Sequence, residues 1–283
     1  MGMGVVRSLL RAGFDTHVRD IRADAHVRAT ALGATCHPSA AALAAVVDVA
    51  IVLVVDAVQI DTVLAGTDGV LESLAPGRVV AIASTVDPDY VAGLLPQFEA
   101  VGARLVDAPV SGGPQRAADG TMTIMIAGDA AALELCMPIF TAIAGKVFNV
   151  GARPGDAAKF KIVNNLLAAV NLAAGAEALA LAASAGLDPR QVVDVVTASS
   201  GSSWIFGDRM PRALLGDYMP RAAARILDKD IGIAIDFAAR NGVEVPIGLA
   251  ARQAFAGTVA AGLGEEDDAA IYKYSRRRAG FAE

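Results

Sequence analysis

Through the first half of the chain, short unbroken apolar runs alternate with stretches of helical period. Thr16–Arg19, Val49–Val55, Arg78–Ala83, Arg104–Asp107 and Met122–Ala127 read as strands. Val49–Val55 (VAIVLVV) has no polar position, the mark of a parallel strand covered by helices on both faces. Between the runs lie helical stretches at Ala23–Leu32, Pro38–Val46, Pro88–Val101 and Ala130–Ala144. This alternation predicts an α/β architecture of the Rossmann-like, doubly wound kind, built on a parallel sheet.

The pattern changes after Lys146–Val150. Gly151-Ala152-Arg153-Pro154-Gly155 has the composition of a hinge, and no convincing strand follows it. Ala- and Leu-rich helical segments run from about Asp156 to Ala185, Pro189 to Ala198, Pro220 to Asn241 and Pro246 to Ala261. At Gly186-Leu187-Asp188-Pro189 one helix stops and another starts, with Asp188 as cap and Pro189 at the first position. The chain therefore divides into an α/β domain, residues 1–151, and an all-helical domain, residues 152–283.

Composition adds exclusions. The chain is 54% hydrophobic and 19% charged, ample for a core and unlike a disordered protein. A net charge of −6 argues against a nucleic-acid partner, because neutralising phosphates needs a basic surface. Arg276-Arg277-Arg278 reads as a solvated basic tail. Cys36 and Cys136 fit no metal-ligand spacing and make no disulfide framework, so no metal is expected and a reducing cytoplasm suits them. Arg7, Arg11 and Asp15 interrupt any apolar leader. The longest apolar stretch, Leu166–Leu187, carries Asn171, Glu177 and Ser184, so it reads as a packed helix or a subunit interface rather than a membrane span.

Three segments carry candidate chemistry. Met1-Gly2-Met3-Gly4 opens a helix through Val5–Leu10, and Asp20 follows 18 residues after Gly2 at the end of a strand. Glycines let backbone approach a pyrophosphate at a helix N-terminus, and an acid at that distance bonds the adenosine ribose. A plain glycine-rich helix start would look the same. If the dinucleotide reading holds, the strand and first glycines ahead of Met1 are lacking. The expectation is that the chain starts at a methionine downstream of the natural one; a damaged copy is the other option. The second segment, Asp107-Ala108-Pro109-Val110-Ser111-Gly112-Gly113, places amides around two glycines where they can cradle a carboxylate, although a simple turn explains it equally. In the third, Lys161 shares a helical face with Asn164 and Asn165, while Lys159 points about 160° away from Lys161. A lysine and an asparagine on one face of an apolar helix suit the holding of a substrate oxygen and the moving of its proton.

Together these segments resemble the β-hydroxyacid dehydrogenase family, and within it most closely the branch acting on L-threonate. The D-A-P-V-S-G-G and K-x-x-N-N segments carry the resemblance over nearly the whole chain; Ser203-Trp204-Ile205-Phe206 and Gly264-Glu265-Glu266-Asp267-Asp268 add a softer likeness. The family resemblance implies a Rossmann domain joined to a helical domain by a long helix. It places Met1, Gly2 and Met3 at the end of the glycine fingerprint and Asp20 at the ribose. Thr85 and Lys229 fall at the nicotinamide end, and Ser111, Gly112 and Gly113 at the substrate carboxylate. Lys161 becomes the proton-transferring residue, which needs a lowered pKa to act as a base, and Asn165 orients the substrate. The chain departs from the family at Ala157, where a glycine is usual, and at Asp56, where an asparagine is usual.

The function implied is hydride transfer between NAD and a small hydroxy acid such as L-threonate. NADP stays open because Arg19 and Arg22 flank Asp20. 3-Hydroxyisobutyrate dehydrogenase and tartronate semialdehyde reductase share these residues and remain alternatives. Imine reductases usually lack the lysine. A chain without its first strand also admits a non-catalytic oligomerisation module. The apolar long helix suits a homodimer or homotetramer, with neither nucleic acid nor membrane as partner.

Overall fold

Val79, Val80, Ala81 and Ile82 are all fully excluded from solvent, and strand geometry explains how four consecutive residues can be. Val79 and Ala81 point into one apolar cluster with helices on that face, while Val80 and Ile82 point into a second cluster on the other face. The unbroken apolar runs of the sequence are thus central strands of a three-layer arrangement.

The computed structural model describes residues 1–281. It divides into two compact units, Met1–Lys161 and Ile162–Glu283. In the first, the order is α1 (Gly2–Arg11), β1 (His17–Val18), α2 (Ala23–Ala31), β2 (Thr35–Cys36), α3 (Ala40–Ala44), β3 (Val49–Val52), α4 (Ala57–Ala65) and β4 (Val79–Ile82). Then follow α5 (Pro88–Gly93), α6 (Leu95–Ala100), β5 (Arg104–Asp107), β6 (Val110–Ser111), α7 (Gly113–Asp119), β7 (Met122–Ala127), α8 (Ala130–Ile143) and β8 (Ala144–Gly151). β3, β4 and β5 run parallel and in register, Val52 beside Ile82 and Ile82 beside Asp107. β7 turns antiparallel to β5 and β6 and parallel to β8, so the sheet is parallel-dominated with an antiparallel side.

β1 and β2 form a separate parallel pair. Among the described residues neither β1 nor β3 has a strand on the side facing the other. A hollow of about 1350 Å³ is lined from both strands, by Val18 and Asp20 on one side, Val49 and Ile51 on the other, and Gly2 and Met3 of α1. This is where the expected first strand of a doubly wound sheet would run. α1 is held on the opposite flank: Ser8 Oγ donates to Ala117 O at 2.8 Å and Arg11 to Ala118 O at 2.8 Å. A Cβ on Gly4 would meet Ala118 N at 2.7 Å, so the closeness of α1 to α7 requires glycine there.

Some expected boundaries move for identifiable reasons. β3 stops at Val52, because Val54 N–H leaves the ladder for Ser84 Oγ and Val55 N–H for the Gln59 side chain. The helix expected over Pro88–Val101 breaks into α5 and α6, since Pro96 has no N–H to continue the ladder. The short elements β2, β6 and α7 leave too brief a pattern to be read.

The second unit holds α9 (Asp156–Ser184, whose first turns belong to the first unit), α10 (Pro189–Thr197), α11 (Trp204–Leu214), α12 (Ala224–Arg240), α13 (Pro246–Thr258) and α14 (Ile271–Arg278). α9 is long and apolar enough to cross a membrane. One face of it is core, however: Ala169, Leu172, Ala173, Ala176 and Leu179 pack with Phe206, Ile231 and Phe255. Gly175 lets α11 in, for a Cβ there would stand 2.5 Å from the Phe206 ring. The opposite face exposes Val163, Leu167 and Leu181.

The supposed basic tail is no tail. Arg276, Arg277 and Arg278 form the last turn of α14, and the Arg276 guanidinium lies over the rings of Tyr272 and Phe281. Basic residues there also complement the helix dipole. The acidic segment at Asp267-Asp268 is structural as well. Arg209 Nε donates to Asp268 Oδ1 at 2.6 Å, and Asp267, which accepts from Arg221 N–H at 2.8 Å, lies 3.2 Å from Arg212.

Candidate active site

The loops leaving the C-terminal ends of β3, β4 and β5 emerge side by side, because those strands are parallel and in register. That edge is where open α/β sheets bind ligands. Asp56 follows β3, Thr85 follows β4, and Asp107 closes β5. Asp56, a departure from the family pattern, acts locally, its carboxylate capping α4 by accepting Gln59 N–H at 2.9 Å. Ala157, the other departure, is fully buried against Met125 and Ala127.

Met1, Gly2 and Met3 form the open start of α1. Gly4 N–H donates to Met1 O at 2.8 Å, so the amides of Gly2 and Met3 precede the first helical bond, and no side chain caps them. Uncapped amides at a helix N-terminus attract an anion. Asp20, beyond β1, lines the same hollow as Gly2 and Met3. Its Oδ1 accepts Arg22 N–H at 2.9 Å, and its own N–H donates to His26 Nε2 at 3.1 Å. The Arg22 guanidinium turns away to Asp24, which it meets through two hydrogen bonds of 3.1 and 2.8 Å. An uncapped helix start and a half-engaged acid on one hollow fit the pyrophosphate and ribose of a dinucleotide.

Ser111 ends β6, and Gly112 and Gly113 lead into α7 with φ of +132° and +76°. Two consecutive left-handed residues explain the glycine pair, since side chains resist that backbone. The two glycines put no side chain of their own over the amides of the turn, as a carboxylate cradle needs, and the Arg116 side chain lies against Gly112.

In the sequence Asp107 stands out only as the first residue of a motif, with no separate role. In the structure its buried Oδ2 accepts Gly155 N–H at 2.9 Å and Ala158 N–H at 2.8 Å, so a strand end caps α9. Its Oδ1 is buried with no hydrogen-bond partner. Burial pushes this carboxyl up to about 6, against the opposing pull of the helix amides. Gly155 itself is held at φ +98°, and a Cβ there would meet Pro88 O at 2.6 Å. The entry of α9, and with it Lys161, is thus set by Asp107 and Gly155.

The helix sorts its two lysines. Lys159 is exposed and pairs with Asp156 at 2.9 Å, whereas Lys161 is only 7% exposed. Asn165 lies one turn further along α9 and is equally buried. In the second unit Asn165 Nδ2 donates to Asp230 Oδ2 at 2.7 Å, and Lys229 Nζ stands 2.7 Å from Asp230 Oδ1. Asp230 is buried, and sequence reasoning did not single it out. Only its place beside Lys229 hinted at it. Among the described residues no group of His, Cys, Asp and Glu is arranged to hold a metal.

Comparison with known proteins covers both units. Residues 1–151 match the family model for the NAD binding domain of 6-phosphogluconate dehydrogenase. Residues 155–275 match that for the NAD-binding of NADP-dependent 3-hydroxyisobutyrate dehydrogenase. The chain is 43% identical over 273 residues to L-threonate dehydrogenase of Cupriavidus necator, covering 96% of this chain and 92% of that protein. It is 41% identical over 277 residues to L-threonate dehydrogenase of Escherichia coli strain K12, covering 96% and 91%. A crystal structure named 3-hydroxyisobutyrate dehydrogenase, from Salmonella typhimurium, superposes with a TM-score of 0.90 at 40% identity, covering 96% of this chain and 95% of that one.

Proposed function

This chain belongs to the NAD(P)-dependent hydroxyacid dehydrogenase family related to 3-hydroxyisobutyrate dehydrogenase, and we propose that it oxidises L-threonate or a closely similar sugar acid. The observation that carries the substrate is the 43% identity, over 96% of the chain, to a protein named L-threonate dehydrogenase. The Salmonella typhimurium structure bears a different name at 40% identity, so 3-hydroxyisobutyrate is the rival substrate. Tartronate semialdehyde reduction is a further one.

In this reading Met1 and the uncapped amides of Gly2 and Met3 take the cofactor pyrophosphate, and Asp20 takes the adenosine ribose. Thr85 and Lys229 flank the nicotinamide end. A carboxylate at Asp20 disfavours a 2′-phosphate, and Arg22 is engaged by Asp24, so NAD is the preferred cofactor. When bound, the nicotinamide supplies the acceptor for the hydride of the carbinol carbon. The amides of Ser111, Gly112 and Gly113 hold the substrate carboxylate. Lys161 Nζ accepts the hydroxyl proton during oxidation and returns it during reduction. Asn165 donates a hydrogen bond that fixes the reacting oxygen. We infer a cytoplasmic enzyme from two free cysteines, and a homodimer or homotetramer from the apolar outer face of α9. A monomer by light scattering at assay concentration would refute the latter.

The experiment is an NAD⁺ titration followed by thermal unfolding, then a turnover panel of L-threonate, 3-hydroxyisobutyrate and tartronate semialdehyde followed through NADH. Saturable stabilisation and preferential oxidation of L-threonate are expected. Faster turnover of 3-hydroxyisobutyrate would overturn the substrate. Absence of any stabilisation by NAD⁺ would overturn the placement of the cofactor on this chain.

A further inference from the structure

Both ends of the Asn165 amide are engaged from known directions. Its Oδ1 accepts from Asn164 Nδ2 at 3.0 Å, and its Nδ2 donates to Asp230 Oδ2 at 2.7 Å. A primary amide offers two N–H donors and one carbonyl acceptor, while an ionised carboxylate only accepts. Asp230 therefore dictates which way the amide faces, because turning it over would set Asn165 Oδ1 against a carboxylate oxygen. Lys229 Nζ, 2.7 Å from Asp230 Oδ1, provides the counter-charge on the far side. With one N–H held by Asp230 and the carbonyl turned to Asn164, the second Nδ2 hydrogen is the donor Asn165 has left to offer. Asn165 and Asp230 are both buried, so a wrongly turned amide could not be rescued by bulk water.

We propose that Asp230 is a positioning residue: it locks the Asn165 amide so that Asn165 presents a hydrogen-bond donor, and never an acceptor, to the substrate oxygen. The inference rests on the reading above that Asn165 touches the substrate. It adds a direction to that contact. A donor steadies an oxygen that loses its proton, whether the oxygen ends as a carbonyl or passes through alkoxide character. An acceptor in the same place would compete for that proton and hold it back.

The test is a double-mutant cycle between the two positions, assayed with NAD⁺ and L-threonate, with NAD⁺ affinity measured separately because Asp230 also contacts Lys229. Asp230→Ala should lower kcat/KM for L-threonate by roughly ten- to a hundredfold, the range for unmaking a buried charged hydrogen bond. Asp230→Asn, whose carbonyl can still accept from Asn165, should recover most of that loss. In an Asn165→Ala background Asp230→Ala should cost less than about twofold more, as a residue acting through another requires. The same coupling should appear without ligand, the double variant melting no lower than the less stable single one. The exchanged pair Asn165→Asp with Asp230→Asn restores a donor–acceptor contact but removes the donor at 165; it should fold and remain at least about tenfold slow. Equal cost of Asp230→Ala in both backgrounds, or an active exchanged pair, would overturn the proposal while leaving Asn165 as a substrate contact. An Asn165→Ala enzyme with the parent's kcat and KM would overturn both.

Discussion

Asp107→Asn isolates one buried carboxyl whose surroundings set a pH dependence of known sign. Asp107 is 1% exposed, accepts two helix amides through one oxygen, and leaves the other oxygen without a partner. Burial outweighs the amides, so the folded group titrates near 6 rather than at its ordinary 3.8. A raised carboxyl pKa means that folding favours the protonated form. The stability it contributes is full below 3.8 and is lost as pH rises through 6. The shift corresponds to about 3 kcal/mol overall, of which about 1 kcal/mol falls between pH 5 and 7. Asparagine keeps an acceptor for Gly155 and Ala158 but cannot ionise. Asp107→Asn should therefore gain stability relative to the parent by about 1 kcal/mol from pH 5 to 7, and the difference should be flat above pH 8. Urea unfolding followed by far-ultraviolet circular dichroism is the suitable assay, because the sole tryptophan, Trp204, lies in the other unit. Asp107→Ala provides the control: relative to Asp107→Asn it loses the cap, at about 0.5–2 kcal/mol, at every pH. A stability difference between Asp107→Asn and the parent that falls with pH would contradict this account. The helix N-terminus, rather than burial, would then govern this carboxylate.

Replacing Lys161 by Ala should reduce kcat by a factor of about 10²–10⁴, the usual contribution of a general acid–base group. NAD⁺ affinity should change little, and an Ala variant with most of the parent's rate would remove Lys161 from the chemistry. In the helical unit, burial pushes Asp268 up to about 7 even with Arg209 beside it. Arg209→Met should cost about 3–5 kcal/mol in urea unfolding, since it leaves Asp268 buried without its cation. Adding Asp268→Leu should restore much of the loss, and a double variant as unstable as the single one would show that the pair is not the cause.

The architecture was legible because its signals are local. Arg104–Asp107 and Met122–Ala127 read as strands over the bounds they occupy, and the Asp188-Pro189 restart shows as a capped helix. A strand buried on both faces needs apolar residues at every position, and a helix buried on one face needs them at every third or fourth. Each requirement is written within about ten residues of itself. The sorting of Lys159 from Lys161 likewise follows from helix geometry, and exposure in the structure agrees with it.

Contacts between residues far apart in the chain were settled by the fold instead. Asp107 caps a helix that begins 49 residues later, and Asp230 takes the amide of Asn165 across 65 residues. Neither pairing has a period or a spacing, since a carboxylate finds its partner by where the fold brings it. The same holds for Gly4 and Gly175, whose need appears only once α7 and Phe206 arrive beside them. Arg276 read as solvated because a run of arginines is polar by composition; its guanidinium instead lies over the rings of Tyr272 and Phe281. Local pattern was enough to place most of the central strands and the long helices. Which buried polar groups face one another came from the packing of those elements, because the cost of leaving such groups unpaired is settled in three dimensions.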